Sequence, residues 1–177
     1  MKRILAAALC FLTLVLCLIP AVSAADAEDP RTETLENGDR LVTGIGEPLL
    51  QGAPEDAGVA TLARLLRFFR RLVHLLTGTK TTERSKYLRY YDHNGVVLWE
   101  ATLTAEFAYS ARRVRCERAT LSFVSQDPDW SLVSRQTETA GDAARGTVSV
   151  RQTKLGVPLQ TVTRTLTLTC DSNGNVS

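Results

Sequence analysis

The chain is 177 residues long and carries 21 Lys plus Arg against 19 Asp plus Glu, a formal net charge of +2. The surplus is Lys2 and Arg3, which precede an apolar run from Ile4 to Ile19; without them 19 charges of each sign remain, so charge gives no support for nucleic-acid binding. Two cysteines beyond that run and two isolated histidines supply neither the count nor the spacing of a structural zinc site.

Residues 1–24 read as a cleavable signal peptide. The basic start and apolar run end at Pro20, and Val22-Ser23-Ala24 supplies a small-x-small cleavage site before Ala25. The run is too short for a permanent span, which takes about 20 apolar residues. Leu16 before Cys17 is not the small residue that a lipoprotein signal needs. The expectation is a secreted, extracellular protein without lipid anchor or later transmembrane segment.

Residues 25–58 hold nine acidic and two basic side chains together with Pro30, Pro48 and Pro54, the composition of a largely flexible leader. Within it, Asn37-Gly38 predicts a hairpin over 32–45 with a type I′ turn, from which Leu41, Val42 and Ile45 would dock on the main sheet. Residues 59–78 predict an amphipathic α-helix. Arg64, Arg67, Arg70, Arg71 and His74 fall on one arc and Leu62, Leu65, Leu66, Phe69, Leu72, Val73 and Leu76 on the other, and Gly78 stands where a C-terminal cap belongs.

From 85 to 177 the apolar period becomes two, giving an antiparallel β domain of some six strands. Val97, Trp99, Ala101, Leu103, Ala105, Phe107 and Tyr109 alternate with Glu100, Thr102, Thr104 and Glu106, a long strand with one buried face. Further strands are expected over Val114–Ser125, Trp130–Thr139 and Gly146–Lys154, with a phase slip between Cys116 and Ala119 that marks a bulge. In the last strand Val162, Leu166, Leu168 and Cys170 share a face, with Arg164 as the exception, and a threonine row from Thr161 to Thr169 occupies the reverse. Short connections make neighbours antiparallel. The expected fold is mainly β, an antiparallel β-sandwich, Ig-like in general shape, preceded by the one helix.

In an oxidising compartment Cys116 and Cys170 suggest one disulfide, closing a loop that the chain-entropy account values at about 4 kcal/mol. Separate buried thiols are the alternative. A bridge with Trp130 between its cysteines matches the immunoglobulin plan, but Leu168 stands where the tyrosine corner would be. The stretch Lys86–Tyr109, with Cys116, Trp130, Gly141, the closing 168–177 and more weakly Glu36-Asn37-Gly38-Asp39, resembles a functionally uncharacterised family of small secreted β-domain proteins of Gram-positive gut bacteria. The resemblance implies fold and compartment and carries no active site.

No nucleophile elbow, zinc-protease motif, phosphate loop or dinucleotide fingerprint is present. His74 reads as a solvated helix residue, His93 as part of the Asp92-His93-Asn94-Gly95 turn, and Asp127-Pro128-Asp129 as a turn rather than a calcium site. Neither catalytic residues nor cofactors are therefore assigned. The sequence favours a secreted, non-enzymatic binding or interaction protein acting at a cell envelope, host surface or partner protein. Its alternative is a membrane-active effector in which Arg64, Arg67, Arg70 and Arg71, above Leu65, Leu66, Phe69, Leu72 and Leu76, meet an anionic bilayer; an unrecognised hydrolase stands third. The same helix stripe could instead cover the sheet.

Overall fold

A computed structural model describes residues 29–50 and 79–177, so the signal peptide and the helix expected over 59–78 lie outside the described residues. The described part is mainly β, in two antiparallel sheets. One has five strands in sequential order, β1 (Arg31–Thr34), β2 (Arg40–Ile45), β3 (Lys80–Tyr91), β4 (Val97–Ser110) and β5 (Arg113–Ser125); the other has three, β6 (Trp130–Ala140), β7 (Ala143–Lys154) and β8 (Val157–Thr169). Among the described residues no helix is long and apolar enough to cross a membrane.

The alternation read from the sequence places the core. Trp99, Ala101, Leu103, Ala105 and Phe107 of β4 are all fully buried and meet Val148, Val150, Leu166 and Leu168 of the second sheet in one cluster. On β5 the register moves from Glu106↔Arg118 to Phe107↔Cys116, so Glu117 is the inserted residue and the expected bulge lies within the predicted slip. Leu41 and Ile45 join the core from β2, whereas Val42 points to the opposite face of the sheet. Gly146 lets the sheets approach. A Cβ there would sit 3.0 Å from a Leu103 methyl and 3.2 Å from one of Leu121.

The turn type is corrected, and the packing adds detail. The strand order is sequential in both sheets, as short antiparallel connections imply, and Trp130 packs on Tyr90 and Trp99 (ring centroids 4.7 and 5.9 Å). The Asn-Gly turns are not type I′. Leu35 N–H donates to Asp39 O and Gly38 N–H to Leu35 O, a three-residue loop closed by a left-handed glycine, and the same pattern recurs at Asp92–Val96 and Asp171–Asn175. Strand β6 buries only Trp130, since it forms the edge of its sheet and a bulge at Val133 breaks its alternation. The threonine row of β8 meets polar partners on β7: Thr147 and Ser149 bond Thr165 and Thr163 across the strands, each at 2.9 Å.

The Cys116–Cys170 bridge is also not formed; both residues are buried free thiols. The β6–β7 turn draws them to one corner, with Cys116 N–H on Gly141 O at 2.7 Å and Cys170 N–H on Asp142 O at 3.0 Å. Each thiol turns to a carbonyl of its own segment, Cys116 Sγ to Arg118 O and Cys170 Sγ to Asp171 O, both at 3.4 Å.

Candidate functional site

The register puts four turns at one end of the molecule: Leu35–Asp39, Asp92–Val96, Gln126–Asp129 and Leu155-Gly156. They are tied together beneath the surface by Tyr90, whose ring lies in the core against Trp99 and Trp130. Its hydroxyl donates to Asp39 Oδ2 at 2.8 Å and accepts from Gln160 Nε2 at 3.2 Å and, weakly, from Asn37 Nδ2 at 3.4 Å. Burial first, then the Asp39 carboxylate, pushes the Tyr90 phenol above its usual range, while the Asn37 and Gln160 amides oppose that shift. Gln160 also bonds Gln152 Oε1 at 2.9 Å, so one hydroxyl links the β1–β2 loop to the base of the β7–β8 hairpin. The β5–β6 turn is fastened to the same hairpin by Thr153 N–H on Asp129 O at 2.7 Å.

On this rigid base stands an apolar tip. Lys154 pairs with Val157, so the hairpin turns through Leu155-Gly156 alone, with φ of 52° and 81°. Both values are left-handed, as a type I′ turn requires, and the first residue is leucine where Asn, Asp or Gly is favoured. Leu155 is 98% exposed, and Val157 and Leu159 beside it are 59% and 58% exposed. Leu159 is the extra residue of a bulge between the Gln152↔Gln160 and Thr153↔Pro158 pairs, which turns the strand away from its neighbour. The turns around the tip are acidic, with Glu36, Asp39, Asp92, Asp127 and Asp129 outnumbering Arg40 and Lys154.

On the outer face of the five-stranded sheet lies a buried ion pair that sequence alternation assigned to the wet side. Arg89 Nε meets Glu100 Oε2 at 2.8 Å, and the two side chains are 10% and 2% exposed. Thr102 Oγ1 donates to Glu100 Oε1 and Leu49 N–H to Glu100 Oε2, both at 3.0 Å; Arg89 Nη2 donates to Glu47 O at 2.8 Å. The Arg89 guanidinium stacks 3.6 Å above the Tyr87 ring. The pair therefore straps residues 47–49 across β3 and β4.

The residues predicted as a membrane or partner surface, Arg64, Arg67, Arg70, Arg71, Leu65, Leu66, Phe69, Leu72 and Leu76, lie outside the described residues. His93 sits in its turn, as read. The Asp127 and Asp129 pair forms a local turn in which Asp129 N–H bonds Asp127 Oδ1 at 2.9 Å, and no cluster of three or more His, Cys, Asp or Glu suited to a metal occurs among the described residues. Of the tyrosines on β3, Tyr90 is core, Tyr87 stacks on Arg89, and Tyr91 lies under Arg40 at 5.8 Å. In sequence Leu155-Gly156-Val157-Pro158 reads as turn chemistry, and the signal of an apolar tip is a leucine at a position that calls for asparagine. Compared with known proteins, the chain matches no family model, no curated protein and no solved structure.

Proposed function

We propose that the protein is an exported, non-enzymatic binding module that docks a protein partner through the β7–β8 hairpin tip. The carrying observation is Leu155, an apolar side chain held almost fully in water on a left-handed backbone. Such a residue is unfavourable in the free molecule on two counts, steric strain and apolar exposure, and contact with a partner compensates the second. The acidic turns around it select a partner whose apolar pocket has a basic rim, at a cell envelope or host surface.

Export rests on the Lys2-Arg3 start, the apolar run and the Ala24/Ala25 cleavage site. The finer architecture we assign is a two-layer sandwich. The membership suggested by residues 86–109 and 168–177, a family of small secreted β-domain proteins of Gram-positive gut bacteria, is part of the same proposal.

The test is retention of the mature protein on cell-envelope fragments and on host-cell surfaces, beside a Leu155→Asn/Leu159→Thr variant. The reading expects the variant to stay folded and to lose most retention. Equal retention of both proteins would remove the hairpin from the binding site.

A further inference from the structure

A second feature is the free edge of β6. Each sheet ends in two edge strands, and a long open edge is a template for pairing with another chain. Three of the four edges are blunted. β1 is only four residues long. The β5 edge is capped from the second sheet, by Gly141 O on Cys116 N–H at 2.7 Å and by Arg135 Nη1 on Leu121 O at 3.4 Å. Near its start β8 carries Pro158, which has no N–H, and the bulge at Leu159; at its end Thr169 exchanges both backbone bonds with Ser177, at 2.9 and 3.0 Å.

β6 has no such guard beyond its bulge at Val133. From Ser134 to Ala140 it is exposed on both faces, and no described residue bonds its outer edge. The following turn fixes which backbone groups face out. Ala140 pairs with Ala143 around Gly141-Asp142, and a two-residue turn leaves its closing pair hydrogen-bonded. Antiparallel pairs alternate, so Glu138 and Gln136 also bond β7, while Arg135, Thr137 and Thr139 turn their N–H and C=O groups to the free side.

This set is its own complement. In an antiparallel pair of β6 strands related by a two-fold axis through Thr137, Arg135 meets Thr139 and Thr137 meets its own copy, so every outward group from Ser134 to Ala140 finds an outward partner. Between them Gln136 meets Glu138, an amide against a carboxylate, and Ser134 meets Ala140. An axis through Gln136 would leave Thr139 opposite the bulge, and one through Arg135 or Glu138 would set like charges face to face.

We propose that the protein self-associates through this edge, two copies pairing β6 to β6 about Thr137 and joining their three-stranded sheets into one of six. The axis stands normal to that sheet, so the two hairpin tips point in opposite directions. Leu155 lies nine residues beyond Gly146, the partner of Thr137, and at about 3.4 Å per residue the tips are roughly 60 Å apart. The pairing stands whether or not the tip is a docking site; where it is, the dimer engages two partners at once.

The experiment is sedimentation equilibrium of the mature chain over a concentration series. The parent is expected to show a monomer–dimer equilibrium. Gln136→Lys sets an ammonium opposite Glu138 of the other copy and should tighten the dimer about five-fold, whereas Gln136→Glu opposes two carboxylates there and should weaken it by a similar factor. Gln136→Glu/Glu138→Lys restores opposite signs and should restore the dimer. All three variants change side chains that are exposed in the single copy, so their melting temperatures in dilute solution should stay at the parent value. A monomer throughout the series would overturn the proposal. So would a dimer in which the two Gln136 variants do not act in these opposite directions, which would place the contact elsewhere.

Discussion

Replacing Leu155 by Asn isolates what the hairpin tip contributes to the free molecule. The two-residue loop has φ of 52° and 81°, and for an L-residue other than Gly, Asn or Asp the left-handed conformation costs roughly 1–2 kcal/mol. Asn relieves most of that cost, because its short polar side chain tolerates this geometry and Asn-Gly is the preferred type I′ pair. No packing is lost, since Leu155 is 98% exposed. The variant should therefore be more stable by about 1 kcal/mol, a rise of roughly 3–5 °C in melting temperature for a domain of this size. Urea unfolding followed by tryptophan fluorescence reads it directly, because Trp99 and Trp130 are both buried. The slope of free energy against urea should not change. Leu155→Ala is the control; it removes the apolar side chain and keeps the strain, and should stay within about 0.5 kcal/mol of the parent. Were Leu155→Asn no more stable than Leu155→Ala, strain would be absent from the tip and the argument for a functional leucine there would fall.

Three further outcomes follow from the geometry. Glu100→Ala leaves the Arg89 guanidinium buried without its carboxylate and should cost about 3–5 kcal/mol, whereas Arg89→Met/Glu100→Leu should recover most of it; chemical denaturation of the two variants beside the parent checks the pair, and faster exchange of the Leu49 amide in Glu100→Ala checks the strap. Gly146→Val should destabilise by about 1–3 kcal/mol, because the side chain would drive into the Leu103 and Leu121 methyls that set the sheet spacing; a thermal melt reads the loss. In reduced protein, burial first and the neighbouring Asp171 and Asp142 next push the Cys170 thiol up to about 11 from an ordinary value near 9. Between those values the unfolded chain ionises while the folded one stays protonated, so stability is intact below pH 9 and falls by about 2–3 kcal/mol as pH approaches 11. Urea midpoints in that window should drop for reduced protein and recover in Cys170→Ser, which carries no thiol to titrate.

Much of the core was legible because strand periodicity reports burial on a single face. Trp99, Leu103 and Phe107 were read as inward and are fully buried, and the bulge at Glu117 was visible as two apolar residues out of phase. The division into sheets of five and three strands was not legible, since it depends on where two edges meet in space and leaves no mark on any one strand. Edge position also explains β6, in which nothing beyond Trp130 is covered. The Asn-Gly signals correctly located hairpins and missed their geometry, because Asn37-Gly38 and Asn94-Gly95 serve equally in a three-residue loop that ends on a left-handed glycine. The hairpin tip rests on a residue that breaks a local rule, Leu155 in a turn. Arg164 stands out in sequence as a cation in an apolar row, and its partner Glu33 lies 131 residues away along the chain.

The buried Arg89–Glu100 pair connects this fold to the rest of the chain. Period-two reading places Glu100 on the solvent side of β4, and on that side it is 2% exposed, so the outer face of the five-stranded sheet is not uniformly wet. What covers the pair among the described residues is the Tyr87 ring and the segment from Glu47 to Leu49, held by one carbonyl and one amide. A charged pair suits this task better than apolar contact, because a guanidinium fork and a carboxylate take backbone groups at fixed directions, whereas a greasy patch would let the segment slide. The strap therefore fixes the course of residues 47–49 across β3 and β4. Glu100→Ala should lower the melting temperature of the core and speed Leu49 exchange together; Arg89→Met/Glu100→Leu, which spares the core but offers Leu49 no acceptor, should melt near the parent and still exchange Leu49 fast, and slow Leu49 exchange there would show that the pair does not hold the strap.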